Sequence, residues 1–358
     1  MKTWGLPAKA AVTAVALLSS VALVGWSGLR SPSDLPSLSP GEPDPLFSIQ
    51  VGQQAGFIDR RGRVRIEPAY AAAGRFHEGL AAVRVGDRWG YIDKQGRPTI
   101  EPRFDVAGDF REGRAAVRLD GRPAIIDRDG RVVVDDPKYG EILSLEEGRW
   151  PVKTGRTWGY VDVDGRPVIE SRFAAVRPFS EGVAAVSVGG RWGFIDRDGA
   201  AVIEPRFKRA VSFSEGLAAV ETEEGWGYID RSGSVVIAPA YRGAEPFSEG
   251  LGRVAIFDQE GLPRHGFVDR TGRHVVRPAY PMAGDFHDGR AVVRMDGRFG
   301  YIDRTGRVRI PARYDWAADF ENGLARVKWA EAGTLRDGYI DPDGSLVWSD
   351  AATAATER

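Results

Sequence analysis

The residues of this chain that could do chemistry recur at a fixed spacing, and that recurrence limits what they can do. Glu78, Glu112, Glu181, Glu215 and Glu249 each stand in a Phe-x-Glu-Gly stretch, with degenerate copies at Leu145 to Gly148, Phe286 to Gly289 and Phe320 to Gly323. Acid–base catalysis needs one constellation whose environments drive two pKa values apart, whereas these acids sit in equivalent settings once per unit. A structural turn role is expected. Asp-x-Asp-Gly tetrapeptides at Asp127, Asp162, Asp196 and Asp341 look like the opening of a calcium loop, in which alternate carboxylates converge on a hard cation. Five sister tetrapeptides lack the second acid and no Glu holds the twelfth loop position, so they read as turns and no metal is assigned. Four histidines, at 77, 265, 274 and 287, leave little for imidazole chemistry, and His77 and His287 fall in the same phase of separate repeats. Without cysteine there is no disulfide, thiolate ligand or thiol nucleophile. No catalytic residue and no cofactor is assigned, and the chain is not expected to be an enzyme.

The elements that hold these residues follow from the period. An apolar pair and Asp return at Asp59, Asp93, Asp127, Asp162, Asp196, Asp230, Asp269, Asp303 and Asp341, each followed three positions later by Gly. Every unit has three short apolar runs, of the types Leu80 to Val83, Trp89 to Ile92 and Val64 to Ile66, bounded by Gly, Asp or Pro. Runs this short, alternating or β-branched, read as strands. Each unit is therefore a three-stranded antiparallel meander in which the Asp bonds its own backbone and the Gly supplies positive φ. Pro68, Pro102, Pro205, Pro239 and Pro278 follow the third strand and are expected to stop the ladder, having no N–H to donate. Units of about 34 residues cannot bury enough surface alone, so nine of them must stack in one all-β domain over residues 46 to 348. The array begins and ends in phase, with no blade shared between the termini. That favours an open arc or superhelical array, with a closed propeller-like ring as the alternative.

Composition agrees with a globular chain: 358 residues, 42% hydrophobic and 28% charged. Forty-nine basic against fifty acidic residues leave a formal charge of -1, which excludes a polybasic surface for nucleic acid. Lys2 and Lys9 precede an apolar run from Ala10 to Val24, the layout of a secretory signal or, counted on to Gly28, of a retained N-terminal anchor helix. Residues 1 to 30 are therefore a leader that exports the rest, and the membrane is met only through it. Five prolines between residues 31 and 45 make an extended linker. Residues 349 to 358 form a tail expected to be disordered.

At Trp89-Gly90, Trp158-Gly159, Trp192-Gly193 and Trp226-Gly227, each followed by an aromatic, Ile or Val, and Asp, the chain resembles the WG-repeat proteins of bacteria. The Phe-x-Glu-Gly-Leu-Ala-Ala-Val approach fits the same family. The resemblance implies a β-rich array with a binding or scaffolding role and no catalytic residues to carry across. Ala55, Pro123, His265, Phe299 and Asp337 depart from the motif Trp and mark irregular units.

The motif Trp residues are expected in the core, where each removes roughly 150 to 250 Å² from water, an upper-bound gain of about 4 to 6 kcal/mol. The breaks in the repetition point to a binding edge instead. The glycine of Phe-x-Glu-Gly and that of the Trp-Gly position are eleven residues apart from Gly216 to Gly227, sixteen from Gly250 to Gly266 and fifteen from Gly323 to Gly338. Both extra segments fall in the loop between the first and second strands. They carry Phe257, Asp258, Gln259, Arg264 and His265 in the seventh unit, and Trp329, Glu331 and Arg336 in the ninth. The expected partner is another envelope protein, or alternatively a cell-wall glycan, met in an extracytoplasmic compartment.

Overall fold

The computed structural model describes residues 44 to 351. The leader, the linker up to residue 43 and the tail from residue 352 lie outside the described residues.

Nine antiparallel sheets follow one another in chain order. The second shows the common plan, with strands Ala72–His77, Leu80–Val85, Arg88–Asp93 and Pro98–Phe104 paired in that order. Asp93 closes the turn after the third of these: its Oδ1 accepts the N–H groups of Gln95 and Arg97, both at 2.9 Å, and Gly96 lies at φ 75°. The same two-bond turn recurs at all nine aspartates, from Asp59 to Asp341.

The sheets have one strand more than the three-strand reading allows. Seven of the nine carry four strands among the described residues, because the segment leading into Phe-x-Glu-Gly pairs antiparallel with the strand that follows it. The hairpin that makes this pairing is tight. His77 opposes Leu80 across Glu78 and Gly79, whose φ values of 49° and 80° are the two left-handed residues of a type I′ turn.

The prolines do not end the third strand. Val64–Tyr70 runs through Pro68 and Pro98–Phe104 through Pro102, with a register shift: Tyr91 opposes Ile100, and two residues back Trp89 opposes Phe104. The extra residues bulge out, so the proline sits where the ladder asks for no N–H.

Aromatic pairs join most sheets to the next, the third meeting the fourth through Ile125 and Leu145 instead. The Tyr91 and Phe110 rings meet edge to face at 4.8 Å, and Tyr160–Phe179, Phe194–Phe213, Tyr228–Phe247, Phe267–Phe286 and Tyr301–Phe320 repeat the contact. Where the ring is Tyr91, Tyr160, Tyr228 or Tyr301, its hydroxyl also donates to a carbonyl of the next sheet's first strand or the residue after it, at 2.7 to 2.8 Å. Buried on all sides, these phenols are held well above the ordinary tyrosine range and stay neutral donors.

The array closes into a propeller-like ring, and the open arc is corrected. Phe47, Ile49 and Ile58 of the first sheet share a core with Leu324, Tyr339 and Trp348 of the ninth. Tyr339 donates to the Ser48 carbonyl at 2.8 Å, and its ring packs on Phe47 at 5.6 Å. Each turn glycine also sits on the third strand of the sheet before it, as Gly96 does on Ile66 and Gly344 on Ile310, and Gly62 of the first sheet does so on Val347 of the ninth. Termini in phase are compatible with closure because the ring needs only face-to-face packing between its ends, with no strand shared.

Candidate binding edges

The Phe-x-Glu-Gly acids act as clamps between neighbours. Glu78 accepts the N–H of Gly113 at 2.9 Å, Glu112 that of Gly148 at 3.0 Å and Glu147 that of Gly182 at 2.9 Å. Glu181, Glu215, Glu249 and Asp288 continue the series onto Gly216, Gly250, Gly289 and Gly323. The clamp explains why an acid tolerates a left-handed backbone at the first turn position. A charge-assisted bond contributes about 1.5 to 3 kcal/mol, enough to offset the roughly 1 to 2 kcal/mol of αL strain.

The motif Trp residues lie against the sheets. Trp158 and Trp226 are buried, while Trp89 and Trp192 are half-buried on the adjacent cores. The Arg209 guanidinium covers the Trp226 ring at 5.0 Å and Arg177 covers Trp192 at 5.8 Å. Stacked cations hold these indoles in place.

The two inserted segments are lengthened hairpins. In the seventh sheet, strands Leu251–Phe257 and Pro263–Val268 are joined by an Asp258 turn of the kind that ends the second strands, with Oδ1 accepting from Glu260 and Leu262 and Oδ2 from Arg264 Nε at 2.7 Å. These bonds hold the Asp258 carboxyl below its ordinary pKa, the Leu262 N–H foremost. Phe257 is exposed beneath the Arg242 guanidinium and Gln259 is exposed at the tip. His265 points into the sheet instead. Burial, then the Arg253 charge, pushes its pKa down, and its Nδ1 has no partner among the described residues. In the ninth sheet, Ala332 and Gly333 at φ 49° and 79° turn strand Ala325–Glu331 into Thr334–Ile340. Glu331 pairs with Arg336 at 3.1 Å, while Trp329 is half-buried against Tyr314. Among the described residues no hydrogen bond, ion pair or ring contact joins the two hairpins, and the eighth sheet stands between them. The eight residues are thus divided between two separate hairpins.

A second candidate lies at the seam between the ninth and first sheets, which the spacing argument missed. A cavity of about 710 Å³ opens over strand Phe47–Val51, walled by Arg75 and Phe76 on one side and Trp316, Asp319 and Glu321 on the other. An adjoining cavity of about 620 Å³ shares Arg75, Trp316, Asp319 and Glu321 and reaches His287 and Phe299. Arg75 and Glu321 pair across the opening at 2.5 Å. Burial raises the Asp319 carboxyl above its ordinary pKa, and the nearby His287 opposes that shift. Trp316 is 44% exposed. The signal was present in the sequence: Trp316 is an aromatic where other units have Ala72, Val106, Ala175, Arg209, Gly243 or Met282.

Solved structures resemble the chain only distantly. Dihydro-heme d1 dehydrogenase NirN is 15% identical over 88% of this chain and 75% of its own, with a TM-score of 0.45. The WD40 domain of Toxoplasma gondii coronin is 12% identical over 85% of this chain and 87% of its own, with a TM-score of 0.37. No curated protein matches the sequence. The family model described as WG containing repeat matches residues 56–89, 89–122, 158–192, 192–225, 226–256, 266–299 and 299–328, and the chain belongs to that family.

Proposed function

We propose that this protein is a non-catalytic scaffold of the bacterial envelope that binds another protein through the edges of its ring. The observation that carries the reading is the fate of the repeated acids. Seven turn carboxylates each hold a backbone N–H of the next unit, and nine turn aspartates each hold two of their own. Groups tied up in this way are unsuited to moving protons in a reaction. Export is argued from the charge of Lys2 and Lys9 ahead of the apolar run. A reporter enzyme active only outside the cytoplasm, fused after Arg358, tests the address; an inactive fusion would overturn it. In-cell crosslinking from exposed positions, Phe257 among them, tests the binding role, and a chain that crosslinks to no protein would count against it.

A second reading is favoured by one feature. Trp316 is an exposed indole beside the carboxylates of Glu321 and Asp319, the pairing that stacks a sugar ring and accepts its hydroxyls. Co-sedimentation with protein-free peptidoglycan sacculi, run with and without EDTA, decides it. Pelleting in both tubes favours the wall, and failure to pellet leaves the protein-binding reading.

A further inference from the structure

Among the described residues the first sheet is one strand short, and its sisters define what is missing. In the third, fifth, sixth and ninth sheets the fourth strand makes the same two bonds to the strand beside it. Asp105 N–H donates to the Arg118 carbonyl and Gly108 N–H to the Ala116 carbonyl. Ala174 and Arg177 do this on Ser187 and Ala185, Lys208 and Val211 on Glu221 and Ala219, and Asp315 and Ala318 on Lys328 and Arg326. The corresponding acceptors in the first sheet are Gln50 and Ser48. They alternate with Ile49 and Val51 along Phe47–Val51, and the closing Val51–Gln54 pair of the hairpin turns the backbone groups of Gln50 and Ser48 outward, with Ser48 at the seam cavity. No described residue pairs with that edge. What meets across the gap is the second sheet's Arg75 and the ninth sheet's Glu321, two units apart.

The chain's own continuation does not follow the path its sisters take. In those units the third strand passes through its bulge and runs on after one residue, as Phe104 does through Asp105 into Val106. In the ninth sheet, Ser349 opposes Gly338 with no bulge between that pair and Tyr339–Trp348, and Asp350 and Ala351 begin a helical turn. Two side chains have adapted to the gap. Phe47 takes a position that is Ala81, Ala115, Ala184 and Ala218 elsewhere, and it meets Tyr339 where a Phe of the fourth segment meets its tyrosine in other units. The Tyr339 hydroxyl, lacking a fourth-strand carbonyl, is drawn to Ser48 instead.

We infer that the open edge of Phe47–Val51 takes an extended peptide from another protein, added as the fourth strand of the first sheet. The inference rests on the protein-binding reading and gives it a place and a partner chemistry. The sister strands set that chemistry. Their residue facing the core is Ala107, Val176, Ala210, Ala244 or Ala317, so the incoming peptide carries a small aliphatic residue there and, because Phe47 fills the aromatic position, needs no Phe. Its main chain gives the affinity, donating to the Gln50 and Ser48 carbonyls and accepting from the Gln50 N–H and from Tyr339. To enter, it displaces the solvent-exposed Arg75–Glu321 pair, an ion pair worth little in water.

The test is fluorescence anisotropy of a labelled, capped pentapeptide with the sequence of residues 105 to 109, titrated with the intact chain. Saturable binding is expected, weakened about tenfold or more, which is about 1.4 kcal/mol, when Gln50 is replaced by Pro. That substitution removes an outward N–H and leaves the pairing with Gln54–Ile58 in place; a melting curve checks the fold. The same loss is expected for a peptide N-methylated at the amide that would donate to Ser48, which leaves the protein untouched. Absence of binding to the parent chain, or equal affinity of the methylated peptide, would overturn the proposal. Binding that appears only when residues 1 to 43 or residues 352 to 358 are deleted would place one of the chain's own ends on the edge, and would also overturn it. Envelope proteins crosslinked elsewhere on the ring, with this edge silent, would leave the scaffold reading standing without the proposal.

Discussion

Gly90 faces the backbone of Ile100 so closely that a Cβ at position 90 would lie 2.5 Å from the Ile100 carbonyl oxygen and 2.8 Å from the Pro102 nitrogen. The glycine of the Trp-Gly signature and the proline two residues beyond the Ile are thus one device: the bulge presses the third strand onto the second, and only a residue without a side chain leaves room. The third unit is a natural control. Ala124 replaces the glycine there, and the third strand stops at Val134 without running back beyond the bulge. Gly227→Ala, whose Cβ would lie 2.5 Å from the Ile237 carbonyl, is therefore expected to destabilise the ring by about 3 kcal/mol, while Gly140→Ala, with nothing within 4 Å, stays within about 0.5 kcal/mol. Denaturant melts of the two variants compare them. Equal midpoints would remove the steric account.

The clamp acids separate two effects that a single substitution would mix. Glu215→Ala keeps the left-handed backbone strain at φ 53° and loses the bonds to Gly250, whereas Glu215→Gly loses the bonds and relieves the strain. Destabilisation of about 2 kcal/mol is expected for the first and about half of that for the second. At the seam, Asn322 has the same conformation, at φ 53°, but its side chain bonds no described residue of a following unit, and Asn322→Gly is expected to be neutral or stabilising. A destabilised Asn322→Gly would show that the seam carries a clamp of its own.

How far the fold could be read from residues depended on whether the signal was local. The Asp-x-x-Gly turn is a short-range device, its two bonds spanning two and four residues, and the sequence shows it in every unit. The fourth strand was hidden because residues such as Val106 and Ala107 are too short a run to read as a strand, and their pairing is fixed by the Glu-Gly turn that follows. Closure was hidden for another reason: it rests on contacts such as Tyr339 to Ser48, between the two ends of the array, where no period applies. The inserted hairpins were located by counting, but His265 and Trp329 turn toward their own sheets, and counting does not give direction.

Ring closure has a kinetic signature. In a closed ring the first and ninth sheets are flanked on both sides, so their amides exchange as slowly as those of the fifth; in an open array the end units fray first. Hydrogen exchange read by mass spectrometry is expected to find peptides covering Gln54–Ile58 and Thr334–Ile340 protected like Arg191–Ile195. Tyr339→Phe, which removes the bond to Ser48, should then raise exchange in the first and ninth sheets alone. Fast exchange at both ends of the parent chain would restore the open arc.

The turn aspartates that accept from a neighbouring hydroxyl, Asp230, Asp269 and Asp303, give the ring an acid-side dependence. The Asp269 carboxyl is held down to about 2, first by the Thr271 hydroxyl at 2.6 Å, then by the backbone N–H groups of Thr271 and Arg273 and by the Arg273 side chain, against an opposing desolvation contribution. An unfolded chain would titrate this group near ~3.9. Between those two values the unfolded state binds more protons than the folded one, so the stabilisation is fully present above about pH 4 and is lost as pH falls toward 2. Thr271→Val removes the largest cause and should move the Asp269 midpoint upward in a carboxyl NMR titration, with a correspondingly shallower loss of melting temperature between pH 4 and 2. Asp303, also lowered chiefly by a threonine hydroxyl, that of Thr305, should respond in the same direction to Thr305→Val. A midpoint that did not move in Thr271→Val would mean that the backbone N–H groups and the Arg273 side chain hold the charge without the hydroxyl.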